Sequence, residues 1–481
     1  MASCRKGRNR TDKDKTYDVQ RKTYPYFRPM SAIPTAPDLK LAVTNRQIIS
    51  VALPIAAAIL VPQINFVTNN IFLGRLGGET LAVAGITGVF YLIFAVIGYG
   101  LNNGLQSLIA RRAGENKVDQ IGYLFRHGLR IALGISALGI LISYTVGPWL
   151  LRHSIHDVQR QEMAIEFLKI RIWGLPFLLM YQMRNALLVG TNNSRHLIAG
   201  TVAETVTNIV LDYLFIYGKA GFPQMGFNGA ALASIVAEAT GMLVVMGVIH
   251  FNGIHNQLQL YTKMVFSQQT YKLILNQSAP LIFQHAISII SWEFFYILVE
   301  HHGSLDLAVS NTMRNIIGIF SCGCWAFAAT TNTMVSNIIG QGKTDQVEGL
   351  IKRIMWLSLA FAGTVAIFLN IFPGLFLSVY GQGNAFISHA IPVVRVISLA
   401  LIFMSAGTVW LNAVTGTGNT RINLRIEIVA IVCYSLYVWY TLEYKNYPVV
   451  IGWMSEWLYW NIMLVLSFRY IKSGRWKGKK I

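Results

Sequence analysis

Charged side chains are scarce in this sequence: Asp, Glu, Lys and Arg make up 13% of its 481 residues, against about 25% in a soluble domain. Apolar residues make up 54%, and the mean hydropathy is +0.47. Apolar runs long enough to cross a bilayer recur between residues 47 and 470, which predicts a polytopic helical membrane protein. The alternating segments of about ten residues that are typical of a transmembrane β-barrel are missing, which argues against that class.

Cysteine is also rare, with four residues and no CxxC pair. This argues against a disulfide framework and against metal ligation, and we interpret the cysteines as small packing residues. The sequence has no GxxxxGK[ST] phosphate loop, which argues against an ATP-driven pump within this chain. No nucleophile, acid or base constellation stands out, so we expect no enzymatic activity, no catalytic residues, no metal and no cofactor.

The net charge of +19 is concentrated at the two ends of the chain. Residues 1–45 carry ten Lys and Arg against four Asp, and residues 469–481 carry six and no acid. Basic tails of a membrane protein are typical cytoplasmic anchors, so we expect no nucleic-acid partner. We predict a disordered cytoplasmic tail at 1–45 and a second basic tail at 471–481. Met30 is a hypothetical alternative start, which the N-terminal sequence of the native protein would test.

The apolar runs predict twelve spans, six on each side of a polar linker at 250–271. They are 47–71, 80–112, 122–147, 163–190, 196–217, 227–249, 272–299, 305–339, 349–372, 388–415, 422–442 and 448–470. We therefore expect an all-α membrane protein with an N-lobe at 46–249 and a C-lobe at 272–470. The second and eighth spans exceed the ~30 Å that the hydrocarbon core requires, and should tilt or project beyond it.

The two halves repeat each other at a constant offset of 226 residues. The loop AGENKVDQ at 113–120 recurs as IGQGKTDQ at 339–346. The same offset relates Pro54 to Pro280, Gly77 to Gly303, Leu81-Ala82-Val83 to Leu307-Ala308-Val309, and Gly190-Thr191 to Gly416-Thr417. Matches spread over about 140 residues at one offset indicate an internal duplication.

The distribution of Lys and Arg predicts the orientation in the membrane. With the N-terminus inside, the inner loops hold twelve of these residues and the outer loops five, which places both termini in the cytoplasm. Each half has an even number of spans, so the halves share one orientation and form a parallel repeat. Transporters with such repeats bind substrate between the halves and alternate access by rocking one half against the other.

Charged and polar residues inside the first-half spans are candidates for function, because burying them in a membrane is costly. Glu204, Asn208 and Asp212 are spaced i, i+4, i+8 on one helix face. Two carboxylates and an amide suit Na⁺ or a reversibly bound proton. Glu238 and Asn69 add further oxygens, and ordinary interhelical hydrogen bonding is the alternative interpretation for all of them.

The second half carries a different set of intramembrane charges. Arg314 needs an acidic partner, and Glu293 or Glu300 can supply it, either as part of a substrate cavity or as a structural pair. Glu427 lies within the eleventh span. Trp292 and neighbouring aromatic residues suit either a cavity for flat organic cations or core packing.

Pro54 and Pro280 occupy equivalent positions of the first and seventh spans. Proline removes a helical hydrogen bond and kinks the helix. We therefore predict that the two prolines are paired hinges for alternating access.

Several motifs together resemble the multidrug and toxic compound extrusion (MATE) family. They are FLGRLGGETLAVAGITG, ARRAGENKVDQ, NIVLDYLFIYGKAGFPQMGFNGAALASIVAE and IGQGKTDQ. The resemblance runs from about residue 46 to 470. It implies two six-helix lobes in a V around a central cavity, and a secondary antiporter of the inner membrane. Such antiporters export amphipathic or cationic organic compounds in exchange for Na⁺ or H⁺.

The resemblance also implies a cation site in the N-lobe. The family's Asn and Asp on the fifth span match Asn208 and Asp212, and its Thr on the sixth span matches Ser234. The family's Asp on the first span is replaced here by Asn69, which removes a carboxylate that Glu204 or Glu238 would have to supply. In the C-lobe the family's seventh-span acid falls near Ser288, and Glu293 is offset from it, so we favour coupling in the N-lobe.

The sequence therefore predicts a monomeric, cation-coupled multidrug antiporter whose partners are small organic substrates and the lipid bilayer. A flippase for a lipid-linked glycan on a related fold is the alternative. Such a flippase would need a cationic cavity for phosphates, and mid-membrane the chain shows Arg314 and little else against several acids. The twofold repeat and the lack of a filter-like segment disfavour an ion channel.

Overall fold

The apolar runs fold into long helices in the computed structural model, which describes residues 39–262, 266–378 and 383–479. Within these ranges the chain forms helices, turns and loops and no strand. The expected tail at 1–45, apart from its last seven residues, lies outside the described residues. So does the hypothetical start at Met30.

The first half contains six crossings, which we number α1 to α6. They are Asn45–Gly74, Gly78–Gly114, Val118–Ser154, the interrupted α4, Leu197–Tyr217 and Gly226–Phe251. α4 consists of Val158–Arg171 and Leu175–Gly190, joined by a 3-10 turn at Ile172–Gly174. It begins earlier than the apolar pattern predicts, because the Asp157 side chain accepts a hydrogen bond from the Arg160 N–H and caps a polar first turn.

The second half contains α7 to α12 in the same order. α7 is Gln268–Glu300, α9 is Val347–Ile371 and α10 is Gly383–Gly416. The other three are interrupted, and consist of Ser304–Phe320 with Cys322–Gly340 (α8), Thr420–Val438 with the π-helical turn Trp439–Tyr444 (α11), and Val449–Trp453 with Ser455–Lys472 (α12). The expected single long helix at 305–339 is therefore wrong in one respect, since it breaks at Ser321, where Gly and Ser lower helix propensity.

Ten helices among the described residues are long and apolar enough to cross a membrane. The interrupted α4 and α8 complete the twelve predicted crossings, and their halves are too short or not apolar enough to qualify separately. Two short helices, Ile254–Gln257 and Pro373–Ser378, lie in connections. The all-α fold with twelve crossings is thus confirmed.

Each half has its own apolar core. One large cluster contains buried residues of α7 to α12 together with Leu41 and Ile48, and another contains buried residues of α1 to α6 together with Leu39, Ile274 and Ala326. A third, smaller cluster packs the ends of α1 to α6 around Leu168 and Phe227. Separate cores are what allow two lobes to move as units.

The repeated glycines have identifiable roles at the ends of equivalent helices. Gly77 and Gly303 precede α2 and α8 with φ of +125° and +107°, a conformation that side chains with a Cβ rarely adopt. Gly114 and Gly340 are the last residues of α2 and α8, at the point where these two helices cross each other. A Cβ on Gly114 would lie 2.0 Å from the Asn337 carbonyl oxygen, and one on Gly340 would lie 2.3 Å from that of Arg111.

The two halves meet at the end of the bundle where α2, α8 and α10 end, which we call the arginine-rich end. Here Ser107 donates to Ser336 at 3.4 Å, and the Gln106 amide donates to Thr333 at 2.7 Å. Arg111 of α2 donates to the carbonyl oxygens of Gly416 and Thr417 at 3.2 and 3.4 Å. Its positive charge also suits the negative end of the α10 dipole.

The segment 39–44, which we call the N-terminal strap, crosses between the lobes at this end. Leu39 packs in the first-half core and Leu41 in the second-half core, and both are buried. The Asn337 side chain donates to the Leu39 carbonyl and accepts from the Leu41 N–H, both at 3.0 Å. Asn337 is the repeat equivalent of Arg111, so the two halves use this position differently.

The chain after α12 packs against the same end. Trp476 is buried, and the Lys479 ammonium donates to the Gly418 carbonyl oxygen at 2.6 Å. The linker after α6 also contacts the first half, since the Arg126 guanidinium contacts Thr262 and the Ser267 N–H donates to His127 at 3.3 Å.

Candidate functional site

A buried polar cluster lies between α1, α5 and α6. The Asn69 amide donates to Asn208 Oδ1 at 3.1 Å, and the Asn208 amide donates to Ser234 Oγ at 3.4 Å. Asn208 is 1% exposed. Three residues from three helices that the sequence analysis placed in one site are thus brought together.

Asp212 lies one turn further along α5 and is completely buried. Neither of its carboxylate oxygens has a hydrogen-bond partner among the described residues, and the same holds for Asn69 Oδ1. A buried carboxylate of this kind requires a proton or a cation to offset the loss of hydration. Carboxylate and amide oxygens are also the ligands that hard cations prefer.

The repeat shows that this polarity is specific to the first half. The equivalents of Asn69, Asn208 and Asp212 at the 226-residue offset are Phe295, Tyr434 and Val438. All three are buried in the second-half core. Equivalent helices therefore bury apolar and aromatic side chains in the second lobe and a polar cluster in the first.

Glu204 and Glu238 do not join this cluster through hydrogen bonds in the described structure. Glu204 lies against Gly241 of α6, where a Cβ would come within 2.9 Å of the Glu204 Cβ. Glu238 is held by Arg171 of α4, with N–O distances of 2.9 and 2.5 Å. The proposed roles of both glutamates in coupling stay predictions.

The Arg171–Glu238 pair was missed in the sequence analysis, as was Tyr91. The Tyr91 hydroxyl donates to both Glu238 oxygens at 3.1 Å, and its ring stacks on the guanidinium with 3.8 Å between the ring centroid and Cζ. Gly174, in the 3-10 turn of α4, makes room for the pair. A Cβ there would lie 2.1 Å from Glu238 Oε2.

Replacing Arg171 with methionine should destabilise the protein by about 3–5 kcal/mol, because it leaves the Glu238 carboxylate buried without a counter-charge. A lowered thermal unfolding temperature of the purified protein would show this. The double variant Arg171→Met/Glu238→Gln should recover most of the loss. Arg152→Met is the matched control, since its pair with Glu162 is more than half exposed and should contribute about 0–1 kcal/mol. Equal effects of Arg171→Met and Arg152→Met would contradict the assignment.

In the second half, Arg314 pairs with Glu293 at 3.1 Å, one of the two partners predicted for it. The guanidinium also lies over the rings of Trp292 and Tyr296, each 5.1 Å away. Both charged side chains are about two-fifths exposed. The cluster is therefore a neutralised ion pair flanked by aromatic rings, and its proposed contact with substrate stays a prediction.

The candidate hinges lie where the sequence places them. Pro54 is inside α1 and Pro280 is inside α7, and α1 also contains Pro62. Both helices remain continuous through these prolines, and the hinge role stays a prediction.

A duplicated bundle of membrane-crossing helices, joined at one end and carrying buried polar clusters, is the architecture of a polytopic membrane transporter. The MatE family model matches residues 54–214 and again residues 280–440. The two matches are offset by the same 226 residues as the sequence repeat. The chain belongs to this family, the multidrug and toxic compound extrusion (MATE) transporters.

Relatives with assigned names agree with this membership. A probable multidrug resistance protein NorM of Thermotoga maritima is 22% identical over 441 residues, covering 91% of this chain and 94% of that protein. The multidrug resistance protein MdtK of Yersinia pseudotuberculosis is 23% identical over 337 residues, covering 69% and 73%.

Solved structures show the same fold. A MATE protein crystallised in complex with MaL6 has a TM-score of 0.85 and 18% identity, covering 92% of this chain and 98% of that one. A multidrug resistance MATE transporter in an outward-facing conformation has a TM-score of 0.82 and 18% identity, covering 91% and 97%.

Proposed function

We propose that this protein is a secondary antiporter that exports amphipathic or cationic organic compounds from the cell in exchange for Na⁺ or H⁺. The observation that carries the proposal is Asp212, a fully buried carboxylate whose oxygens have no hydrogen-bond partner in the described part of the chain. It lies one helical turn from Asn208, which Asn69 contacts, in one lobe of a duplicated transporter fold. Binding of a cation there would favour one access state of the lobes, and substrate would favour the other.

The arginine-rich end is the cytoplasmic end in this proposal, because it holds the majority of the loop Lys and Arg. The lobes are joined there by Arg111, Ser107 and the N-terminal strap. The described conformation then corresponds to a state closed toward the cytoplasm. The protein acts as a monomer in the inner membrane, with the hinges at Pro54 and Pro280 allowing the lobes to part.

The charges inside the spans favour organic cations over lipid-linked phosphates. Arg171 and Arg314 are each paired with a glutamate, and Arg184, buried in α4, donates to the Met180 carbonyl oxygen at 3.0 Å. Asp212 and Glu427 form no ion pair within the described residues. A cavity that holds phosphates would need the opposite balance.

Efflux measurements on the wild-type protein test the proposal. Vesicles containing the purified protein are loaded with ethidium or a fluoroquinolone, and Na⁺ and H⁺ gradients are imposed separately. We expect efflux that one of the two gradients drives and that protein-free vesicles lack. Failure of both gradients to drive efflux of either compound would contradict the antiporter, and movement of a lipid-linked glycan instead would establish the flippase.

A further inference from the structure

Glu427 of α11 is a second fully buried carboxylate, 0% exposed, to which the proposed antiport assigns no role. Side chains of two other helices surround it. Glu427 Oε2 accepts from the Gln284 amide of α7 at 3.0 Å, and Oε1 lies 2.6 Å from the Ser288 hydroxyl of α7. The Tyr459 hydroxyl of α12 also contacts Oε1. None of these partners carries a positive charge.

Three contacts connect Oε1 and the Ser288 hydroxyl with their neighbours, and the hydroxyl groups of Ser288 and Tyr459 supply two protons for them. Ser288 Oγ lies 2.9 Å from the Gln284 carbonyl oxygen as well as 2.6 Å from Glu427 Oε1. The carbonyl oxygen has no proton to donate, and each hydroxyl has one. Suppose that Ser288 donates its proton to the Gln284 carbonyl oxygen and that Tyr459 donates its proton to Oε1. The short contact between Ser288 and Glu427 is then a hydrogen bond only if the Glu427 carboxyl group is protonated and donates to Ser288.

We propose that Glu427 is a proton-binding site of the second lobe, which holds a proton in the described conformation and releases it when α7 moves. The inference rests on the proposed antiport and adds to it a second, separate site. An ionised carboxylate here would be buried without a counter-charge, at a cost of several kcal/mol. A proton removes that cost and completes the chain of donors from Glu427 through Ser288 to Gln284.

Titratable groups on the neighbouring helices are oriented elsewhere, with one exception. Tyr459 contacts the carboxyl group directly. Glu456 of α12 accepts from the Trp460 indole at 3.0 Å, and His285 of α7 lies 3.4 Å from the Asn103 amide of α2. On α10 the nearest member of the network is the uncharged Thr415, which accepts from Asn423. Arg421 and Arg425 lie at the start of α11 itself, at the arginine-rich end.

The network is placed so that movement of α7 alters it. Pro280, Gln284 and Ser288 are spaced i, i+4, i+8. Gln284 and Ser288 therefore lie about one and two turns after the predicted hinge, on the same face of α7. Gln284 also accepts from Asn423, which donates to Thr415 next to the carbonyl groups that Arg111 binds. Bending α7 at Pro280 would withdraw Ser288 and Gln284 from Glu427 and favour loss of its proton.

The first lobe has no equivalent of this site. The repeat relates Glu427 to Thr201, and Gln284 and Ser288 to Ala58 and Pro62. Thr201 precedes Asp212 by 11 residues on α5, about 16 Å along the helix. The acids of the two lobes therefore lie at non-equivalent positions of the repeated helices.

Infrared difference spectroscopy of the protein in lipid tests whether Glu427 carries a proton. A protonated carboxyl group has a carbonyl stretch that an ionised one lacks. We expect this band in the wild type, its loss or reduction in Glu427→Gln, and its persistence in Asp212→Asn. Glutamine keeps the shape and can donate to Ser288, so the fold should survive. Glu443→Gln, at the exposed end of α11, is the matched control, and a wild-type spectrum from Glu427→Gln would overturn the proposal.

Proton release on substrate binding tests the coupling. In weakly buffered solution, Glu427→Gln should release about one proton fewer per bound ethidium than the wild type. Release equal to that of the wild type would overturn the coupling role. If no substrate is transported by the wild type, the proposed function fails, while the infrared band still decides whether Glu427 is protonated.

Discussion

Replacing Asp212 with asparagine should reduce ion-driven efflux by at least about tenfold, a loss that corresponds to 1.4 kcal/mol or more of coupling free energy. The amide keeps the size of the side chain but cannot bind a proton and is a poorer ligand for Na⁺. Its neutral group also removes the need for a counter-charge at a fully buried position. The fold should therefore be kept, with a thermal unfolding temperature equal to or above that of the wild type. Initial efflux rates at a fixed gradient measure the effect.

Asp157→Asn is the matched control for this variant. Asp157 is an exposed N-cap of α4, and asparagine caps a helix about as well as aspartate. Efflux should be unchanged in Asp157→Asn. Wild-type efflux by Asp212→Asn, at equal expression, would show that Asp212 does not bind the coupling ion. Glu427 would then be the remaining candidate.

Replacing Gly340 with alanine should separate the lobes at the arginine-rich end. The added Cβ would lie 2.3 Å from the Arg111 carbonyl oxygen, far inside the ~3.5 Å contact distance. A backbone atom cannot rotate away, so α2 and α8 must move apart by about 1 Å or more. We expect transport to fall by at least about tenfold, because the closed state is selectively destabilised.

Cross-linking measures this separation directly. Cysteines replacing Ser107 and Ser336, whose Oγ atoms are 3.4 Å apart, should form a disulfide readily in a background without native cysteines. In Gly340→Ala the rate of disulfide formation should fall by about tenfold, since disulfide geometry tolerates little change in Cβ distance. Gly349→Ala, with nothing within 4 Å of its added Cβ, should leave the rate unchanged. Equal rates in the two variants would contradict the contact between the halves.

The sequence was sufficient for features that depend on local composition and on the repeat. Length and hydropathy located the twelve crossings, and the 226-residue offset identified Gly114 and Gly340 as equivalent positions. The sequence could not explain why glycine is needed at these two positions. The need arises where α2 of the first half crosses α8 of the second half, and such contacts between distant helices leave no local pattern. The break of α8 at Ser321 was also missed, since hydropathy does not report helix continuity.

Sequence reasoning identified which side chains lie together where a motif or a simple charge balance applied, and their roles stay predictions. Resemblance to the family joined Asn69, Asn208 and Ser234, and the need for a counter-charge paired Arg314 with one of two glutamates. Sequence reasoning did not identify Arg171 as a site residue, because its partner Glu238 is 67 residues away on another helix. The partners of Glu427 are 32 to 143 residues away, and no periodicity within one helix could have indicated them.

The N-terminal strap has a consequence for the speed of the transport cycle. Leu39 is buried in one core and Leu41 in the other, and withdrawing a buried leucine costs about 1.5–3 kcal/mol. In the proposed cycle this cost is part of the barrier to opening toward the cytoplasm, and every 1.4 kcal/mol of barrier slows a step about tenfold. In this proposed cycle the strap therefore slows turnover, whichever ion drives transport. Polar substitutions at Leu39 and Leu41 would lower this cost without changing any residue in contact with Asp212 or Glu427.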